Sequence, residues 1–446
     1  MRHRLLVALL AVGLAAPLAA QTESNLYLPI NSWSTPYVEH LIRAGVLQGL
    51  DPLTRPLRRA DVARAVKAAD TTDLAEPVRA SLRLLAEELA ERPDTVRWKL
   101  EANVAVLGAS DASRWTVRPA PENTGLFYEG GLAGSLEFPH VAMATHPYFD
   151  TRLRRDPEFT GRQDRFIAGD NGEAYILGSW RYLEVFFGLV PRNWGPPEIE
   201  GLILSPSPYP YDHLLVRLGP RRFRLEMLAA QLDNLPMWDS PFISKRFLSV
   251  HRLVAAPSDR LSFSLSEAAL YADNGEPNRN FEPWFLNPLN LWLPVMFNYV
   301  HSANILVAGD VSYLIRDDLR AAVQLYVDDI QVDRRTQGDR KPAELGYTLS
   351  VTGGASRARL SWSALYTRVD NLDYRTQANE EQYTMRGVGL ARSHDDYDQL
   401  TLRATTSPAP RAMLTGVLTY LWQGEGSIAK RFPPINLLAD SLRFLT

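Results

Sequence analysis

The side chains best suited to hold a ligand lie in two tryptophan-bearing segments. In the first, Pro191 to Pro208, Trp194 offers a flat apolar face for sugar C–H groups, while Arg192 and Asn193 offer donors for hydroxyls or uronate carboxylates. The competing reading gives Gly195, Pro196 and Pro197 the task of shaping a rigid turn, with Trp194 as packing. The second, Phe281 to Trp292, carries Trp284 and Trp292 among asparagines, a composition that suits glycan stacking and as readily suits packing in a loop or at a membrane interface. Chemistry of the bond-breaking kind has little support. Eight His residues are scattered without metal-ligand spacing, and no Gly-x-Ser-x-Gly element is present, so neither a zinc hydrolase nor a serine esterase is indicated, and no catalytic or metal-ligating residue is assigned. His394, Asp395, Asp396 and Asp398 form the densest acidic group. It reads as a solvated turn, with a calcium loop as the alternative.

The elements that must position these segments announce themselves by period. From Trp98 onward about fifteen segments of roughly ten residues alternate apolar and polar side chains, as a strand does with lipid on one side and water on the other. In Leu319 to Asp328 every odd position is apolar, and the even ones include Arg320, Gln324, Tyr326 and Asp328. Backbone groups in lipid can be satisfied by strands only if the sheet closes on itself. The prediction is therefore an all-β transmembrane barrel of about 16 to 18 antiparallel strands, the even number that single-chain bacterial barrels use, with a small helical domain at the amino terminus. Polar residues on the opposite faces point to a water-containing or polar-packed lumen. The stretch Phe281 to Trp292 follows a turn signal at Asp273 to Glu276 and should enter the barrel mouth or lumen. Phe432 to Thr446 lacks alternation and a terminal aromatic, so the chain is read as truncated or atypical there.

Residues 1–20 have the form of a secretory signal peptide: Arg2, His3 and Arg4, an apolar core from Leu5, and Leu18-Ala19-Ala20 before a cut expected after Ala20. The run Pro283 to His301 is uncharged but interrupted by three prolines, which excludes a membrane helix. No cysteine is present for an acyl anchor or a disulfide. The net charge of −3 falls to about −5 without Arg2 and Arg4, and gives no reason to expect nucleic acid. Residues 21–93 read as a helical unit: a helix opened by Thr35-Pro36 and ended by Gly45, a second from Arg59 to Ala68, and a third from Asp73 with Pro77 in its first turn. That third helix has Val78, Leu82, Leu85 and Leu89 on one face and stops at Pro93. So small a unit should pack against something, and the periplasmic mouth of the barrel formed by residues 94–446 is the natural place.

Two resemblances follow. The run Trp33, Tyr37 to Leu41, Gly45 to Gly49 and Arg55 to Ala63 resembles an S-layer homology motif, with Arg58 and Asp61 replacing its usual Thr and Glu; the resemblance implies docking on a cell-wall polymer, while the favoured alternative is a small helical plug or folding cap. Arg192-Asn193-Trp194-Gly195-Pro196, a spacer, Leu202-Ile203-Leu204-Ser205 and then prolines resemble the Wzi capsule-assembly family of outer-membrane proteins. The S-layer-like element and the abrupt carboxyl end depart from that family. What the resemblance implies is a barrel closed by its own helical unit and internal loops, without catalytic residues, that holds capsular or other surface polysaccharide in the outer membrane; a monomer without cofactor is expected. The residues themselves leave open a diffusion channel for small solutes such as sugars, since a polar lumen fits both, and a barrel enzyme with residues assembled from afar.

Overall fold

In a computed structural model, the structure describes residues 24–90, 96–109, 125–156, 159, 161–165, 167–273, 281–294, 303–329, 344–355 and 358–432. The expected signal peptide and most of the segment after Phe432 lie outside the described residues, and the third helix ends at Glu88, short of the expected stop at Pro93.

Fifteen strands form one sheet. They are β1 (Arg97–Ala109), β2 (Gly125–Glu137), β3 (Val141–Asp150), β4 (Ala168–Ser179), β5 (Leu183–Leu189), β6 (Asp212–Leu218), β7 (Phe223–Gln231) and β8 (Arg246–Ala255), followed by β9 (Leu261–Ala272), β10 (Asn304–Arg316), β11 (Leu319–Asp329), β12 (Glu344–Ala355), β13 (Leu360–Val369), β14 (Tyr397–Ala409) and β15 (Ala412–Gln423). Each pairs antiparallel with the next in chain order. Connections alternate in length: one end of the sheet has connections of two to five residues, such as 317–318 and 410–411, and the other has connections of 14 to 31 residues, such as the loop 190–211. Short turns at one rim and long loops at the other are the arrangement of an outer-membrane-type barrel. The count matches the fifteen alternating segments; β1 and β15 are the edges of the described sheet, and an even total would need a strand outside it.

Two adjacent rows of register partners show how alternation builds the wall. Phe263, Val311, Val323, Leu349, Tyr366, Leu400 and Tyr420 are successive partners across β9 to β15. Six of these seven are at least 39% exposed, an apolar band too continuous for a water-facing surface. One residue along, Ser264, Asp310, Gln324, Thr348 and Thr367 are partners on the opposite face, and all are buried. A slip of one residue would exchange the rows, so the hydrophobic pattern fixes the register. On β1 and β5 the apolar Trp98, Leu100, Val104, Val106, Leu183 and Phe187 are exposed as well.

The helical unit comprises α1 (Thr35–Arg43), α2 (Arg59–Ala68) and α3 (Glu76–Glu88). Pro36 and Pro77 lie in the first turns of α1 and α3, and Gly45 follows α1 at φ +76. Val78, Leu82, Leu85 and Leu89 pack on Val38 and Leu41 as their spacing predicts. α3 starts three residues later than Asp73 because Leu74 donates to the Thr71 carbonyl in a turn and Ala75 is extended. The unit sits on the short-turn rim. Tyr37 donates to the Arg411 carbonyl (3.1 Å), Asn25 to that of Pro139 (3.1 Å), and Glu88 pairs with Lys99 of β1 (3.1 Å). One small unit thus touches both β1 and the turn between β14 and β15, so the sheet curls around it. Among the described residues no helix is long and apolar enough to cross a membrane.

Candidate functional site

After β5 the chain turns into the lumen, where Asn193 and Trp194 form a two-residue antiparallel pair with Thr54 and Arg55 of the helical unit. The wall holds this pair in place through Gln324, whose Oε1 accepts from the Leu202 N–H (2.8 Å) and whose Nε2 donates to the Trp194 carbonyl (2.9 Å). Gly195 lies at φ +138, and a Cβ there would come within 2.7 Å of Gln324 Oε1, so both backbone angle and space require glycine. Asn193 staples the following turn: its Nδ2 donates to the Ile199 carbonyl (2.9 Å) and its Oδ1 accepts from the Gly201 N–H (2.7 Å). Trp194 is fully buried, with the Arg252 guanidinium 5.1 Å above its ring. Arg192 donates from Nε to His213 Nε2 (2.6 Å) and lies over the rings of Phe186 (4.4 Å) and Tyr27 (5.3 Å). The structure brings Arg192, Asn193 and Trp194 together as the floor of an internal seal, and Trp194 has no open face for a sugar.

Below this floor a layer of ion pairs joins plug to wall. Glu226, fully buried on β7, has Arg224 at 2.6 Å, Arg217 at 3.0 Å and Arg252 at 3.9 Å. Glu184 takes Arg217 (2.9 Å), Arg58 and the Tyr27 hydroxyl, and Asp51 takes Arg224. Burial by itself would raise the Asp51 carboxyl; the guanidiniums of Arg224 and Arg252 outweigh it and hold Asp51 well below the usual carboxylate range. Arg55 clasps Glu39 with two donors, at 2.6 and 3.0 Å. Such a layer fixes position more than it adds stability, because each charge has given up water to enter it.

From the long-loop side, loop 370–396 folds down onto the same segment. Tyr374 donates to the Leu202 carbonyl (2.7 Å), Tyr383 to that of Ile203 (2.8 Å), and the Ser205 N–H to that of Leu390 (2.9 Å). Arg246 on β8 donates from Nε to the Glu380 carbonyl (2.8 Å) and anchors the loop. The lumen is therefore filled from both ends.

Trp284 and Trp292 are elsewhere, and the expectation that their segment enters the mouth or lumen is corrected. On β9, Ser264, Ser266 and Ala268 face inward, so Glu267, Ala269 and Tyr271 face outward, and these are the residues the segment covers. Trp292 stacks on His251 of β8 (4.1 Å) and Phe285 on Tyr271 (4.2 Å). Glu267 accepts from the N–H groups of Trp292 (2.9 Å) and Leu293 (2.7 Å) and pairs with His251 (2.9 Å). Residues 281–294 are a strap on the outer wall. Trp292 is buried, and Trp284 is half-buried with its Nε1 donating to Glu282 (2.5 Å).

In the acidic group, Asp396 accepts from the Gly426 N–H (2.8 Å), Asp398 from the Tyr366 hydroxyl, and Asp395 is buried. Among the described residues no group of three or more His, Asp or Glu could hold a metal ion. No role is assigned to Gln324, Arg217, Glu226 or Arg252 from the sequence alone. Their one signal was position on the polar face of a strand, which marks a residue as inward without naming its partner.

No family model matches any part of the chain, the S-layer-like element included, and no curated protein matches. Among solved structures, the chain is similar to Wzi of Escherichia coli, described as an outer-membrane protein involved in group 1 capsule assembly and a carbohydrate-binding β-barrel. The TM-score is 0.62 at 15% identity, covering 90% of this chain and 86% of that one. At that identity the likeness is one of fold, and it falls on the family that residues 191–208 resemble. OccD3 of Pseudomonas aeruginosa (12% identity, 68% of this chain and 69% of that one, TM-score 0.39) and a Rhodopseudomonas blastica porin mutant (9%, 75% and 95%, 0.37) score below the level of a shared fold.

Proposed function

We propose that this chain, exported through a leader cut after Ala20, is a non-enzymatic, lectin-like barrel of the outer membrane. Its task is to hold or assemble capsular or other surface polysaccharide at the cell surface, as a monomer. The observation that carries this reading is the pairing of Thr54 and Arg55 with Asn193 and Trp194 in the middle of the lumen. A barrel that spends its interior on a seal has only its surfaces left to work with, and the Wzi fold supplies a carbohydrate-binding precedent. The band from Phe263 to Tyr420 supports a seat in lipid.

The polar inner row would also suit a channel for small solutes such as sugars, but the chain that fills the lumen weighs against it. Deleting the gene in its host and imaging polysaccharide should show less attached to cells and more shed, with recovery on complementation. Unchanged attached polysaccharide would reject the holding role. In planar bilayers the purified protein should carry no steady current, and a steady open-channel current would favour the channel.

A further inference from the structure

A cleft of about 940 Å³ lies between the helical unit and the short-turn rim, and its inner end reaches Thr54 and the ion-pair layer. Nine arginines and five carboxylates line it, an excess of four positive charges in a chain whose net charge is −3. Most of these arginines are paired: Arg222 with Asp259 (2.5 Å), Arg260 with Asp317 (3.7 Å), while Arg64 and Arg221 share Asp61. Two are not. Among the described residues Arg181 meets only the ring of Tyr182, at 4.9 Å, and Arg320 touches the Ser312 hydroxyl, at 3.0 Å, with Glu198 and Asp51 acting on it from beyond ion-pair distance. Beside Arg181, Trp180 and Tyr182 stand 40% and 51% exposed, and the cleft continues over the neutral polar groups of Asn25, Gln48 and Ser258.

We propose that this cleft binds a short stretch of acidic glycan, with carboxylates on Arg181 and Arg320 and a sugar face on Tyr182 or Trp180. The inference rests on the polysaccharide reading and deepens its assembly side, because short turns mark the periplasmic rim and the cleft would meet the glycan there, before it reaches the cell surface. Unpaired guanidiniums recognise carboxylates with two parallel donors, exposed aromatic rings take the apolar face of a pyranose, and neutral amides and hydroxyls serve its remaining oxygens. A phospholipid headgroup fits less well: one wall of the cleft is the helical unit, set inside the barrel rim, whereas acyl chains must continue onto the outward apolar band.

The test is titration of the full-length protein in detergent with an oligogalacturonate, a malto-oligosaccharide of equal length, inorganic phosphate, and phosphatidylglycerol vesicles. The uronate should bind, weaken with added salt, and lose about tenfold in affinity in Arg181→Gln and again in Arg320→Gln. Tyr182→Ala should weaken it too, and Arg181→Lys should restore part of the loss. Unboiled gel mobility checks that each variant is folded. Equal binding of the neutral oligosaccharide, preference for phosphate or the vesicles, or undiminished uronate binding in the double variant would overturn the cleft assignment while leaving polysaccharide retention by cells intact. Loss of that retention reading is scored separately, by the deletion strain.

Discussion

Asp395 is fully buried, and neither of its carboxylate oxygens accepts a hydrogen bond from the described residues. Burial pushes its pKa from 3.8 up to about 7, with Asp396 adding to the rise and Arg375 offsetting part of it. Between those two values the folded chain keeps a proton that the unfolded chain releases. Stability therefore falls as pH rises through this window, by at most ~4 kcal/mol at its upper end. Asp395→Asn should abolish that slope and stabilise the protein above pH 7. Midpoints of urea unfolding at pH 5 and pH 8 measure it; a wild type with no difference between the two would show that the carboxyl finds water. The same residue illustrates a limit of the sequence. Three acids beside a histidine looked like one solvated turn, yet Asp398 lies in β14, Asp396 holds a glycine N–H and Asp395 is sealed in.

The strap 281–294 is the element whose place the sequence misassigned. Its composition fits a lumen or an outer wall equally, and what fixes it outside is Glu267, which faces outward midway along β9. An ionisable pair such as Glu267 with His251 is costly against hydrocarbon, and the strap covers it with Trp292 while supplying two N–H donors. Glu267→Ala leaves those donors and His251 without their acceptor, at a cost of roughly 2–4 kcal/mol in strap docking. Limited proteolysis of the unboiled protein should then cut within 281–294 faster than in wild type. Replacing His251 and Glu267 together with Leu should slow that cleavage again. Identical digestion of Glu267→Ala and wild type would mean that ring stacking alone holds the strap.

For the whole molecule, the decisive relation is between plug and wall. Glu226 is the common anion for Arg217, Arg224 and Arg252, and Arg252 in turn donates to the plug at Thr54 Oγ1 (3.0 Å) and the Leu53 carbonyl (3.2 Å). Glu226→Gln keeps the shape but leaves three buried guanidiniums without their shared counter-charge, a loss of roughly 3–5 kcal/mol for a buried pair. The plug should then seat intermittently, and planar-bilayer recordings should show brief openings that wild type lacks. A folded Glu226→Gln barrel as silent as wild type would move the seal from the ion layer to the backbone pairing of residues 54–55 with 193–194.

The sequence by itself determined which residues form strands and which side of each strand meets lipid, because a pleated strand sends alternate side chains to opposite faces whatever its neighbours are. It determined α2 from Arg59 to Ala68 and the apolar face of α3 for the same reason, the period being a local property. Only the tertiary structure decided that Trp194 is packing in a seal, that Trp292 lies outside the wall, and that Arg181 and Arg320 share a cleft. Each of those facts depends on a partner far along the chain: Gln324 reaches Leu202 across 122 residues, and His40 reaches Ser361 across 321. Such contacts follow from how fifteen strands curl around one plug, and no stretch of adjacent residues encodes a curl.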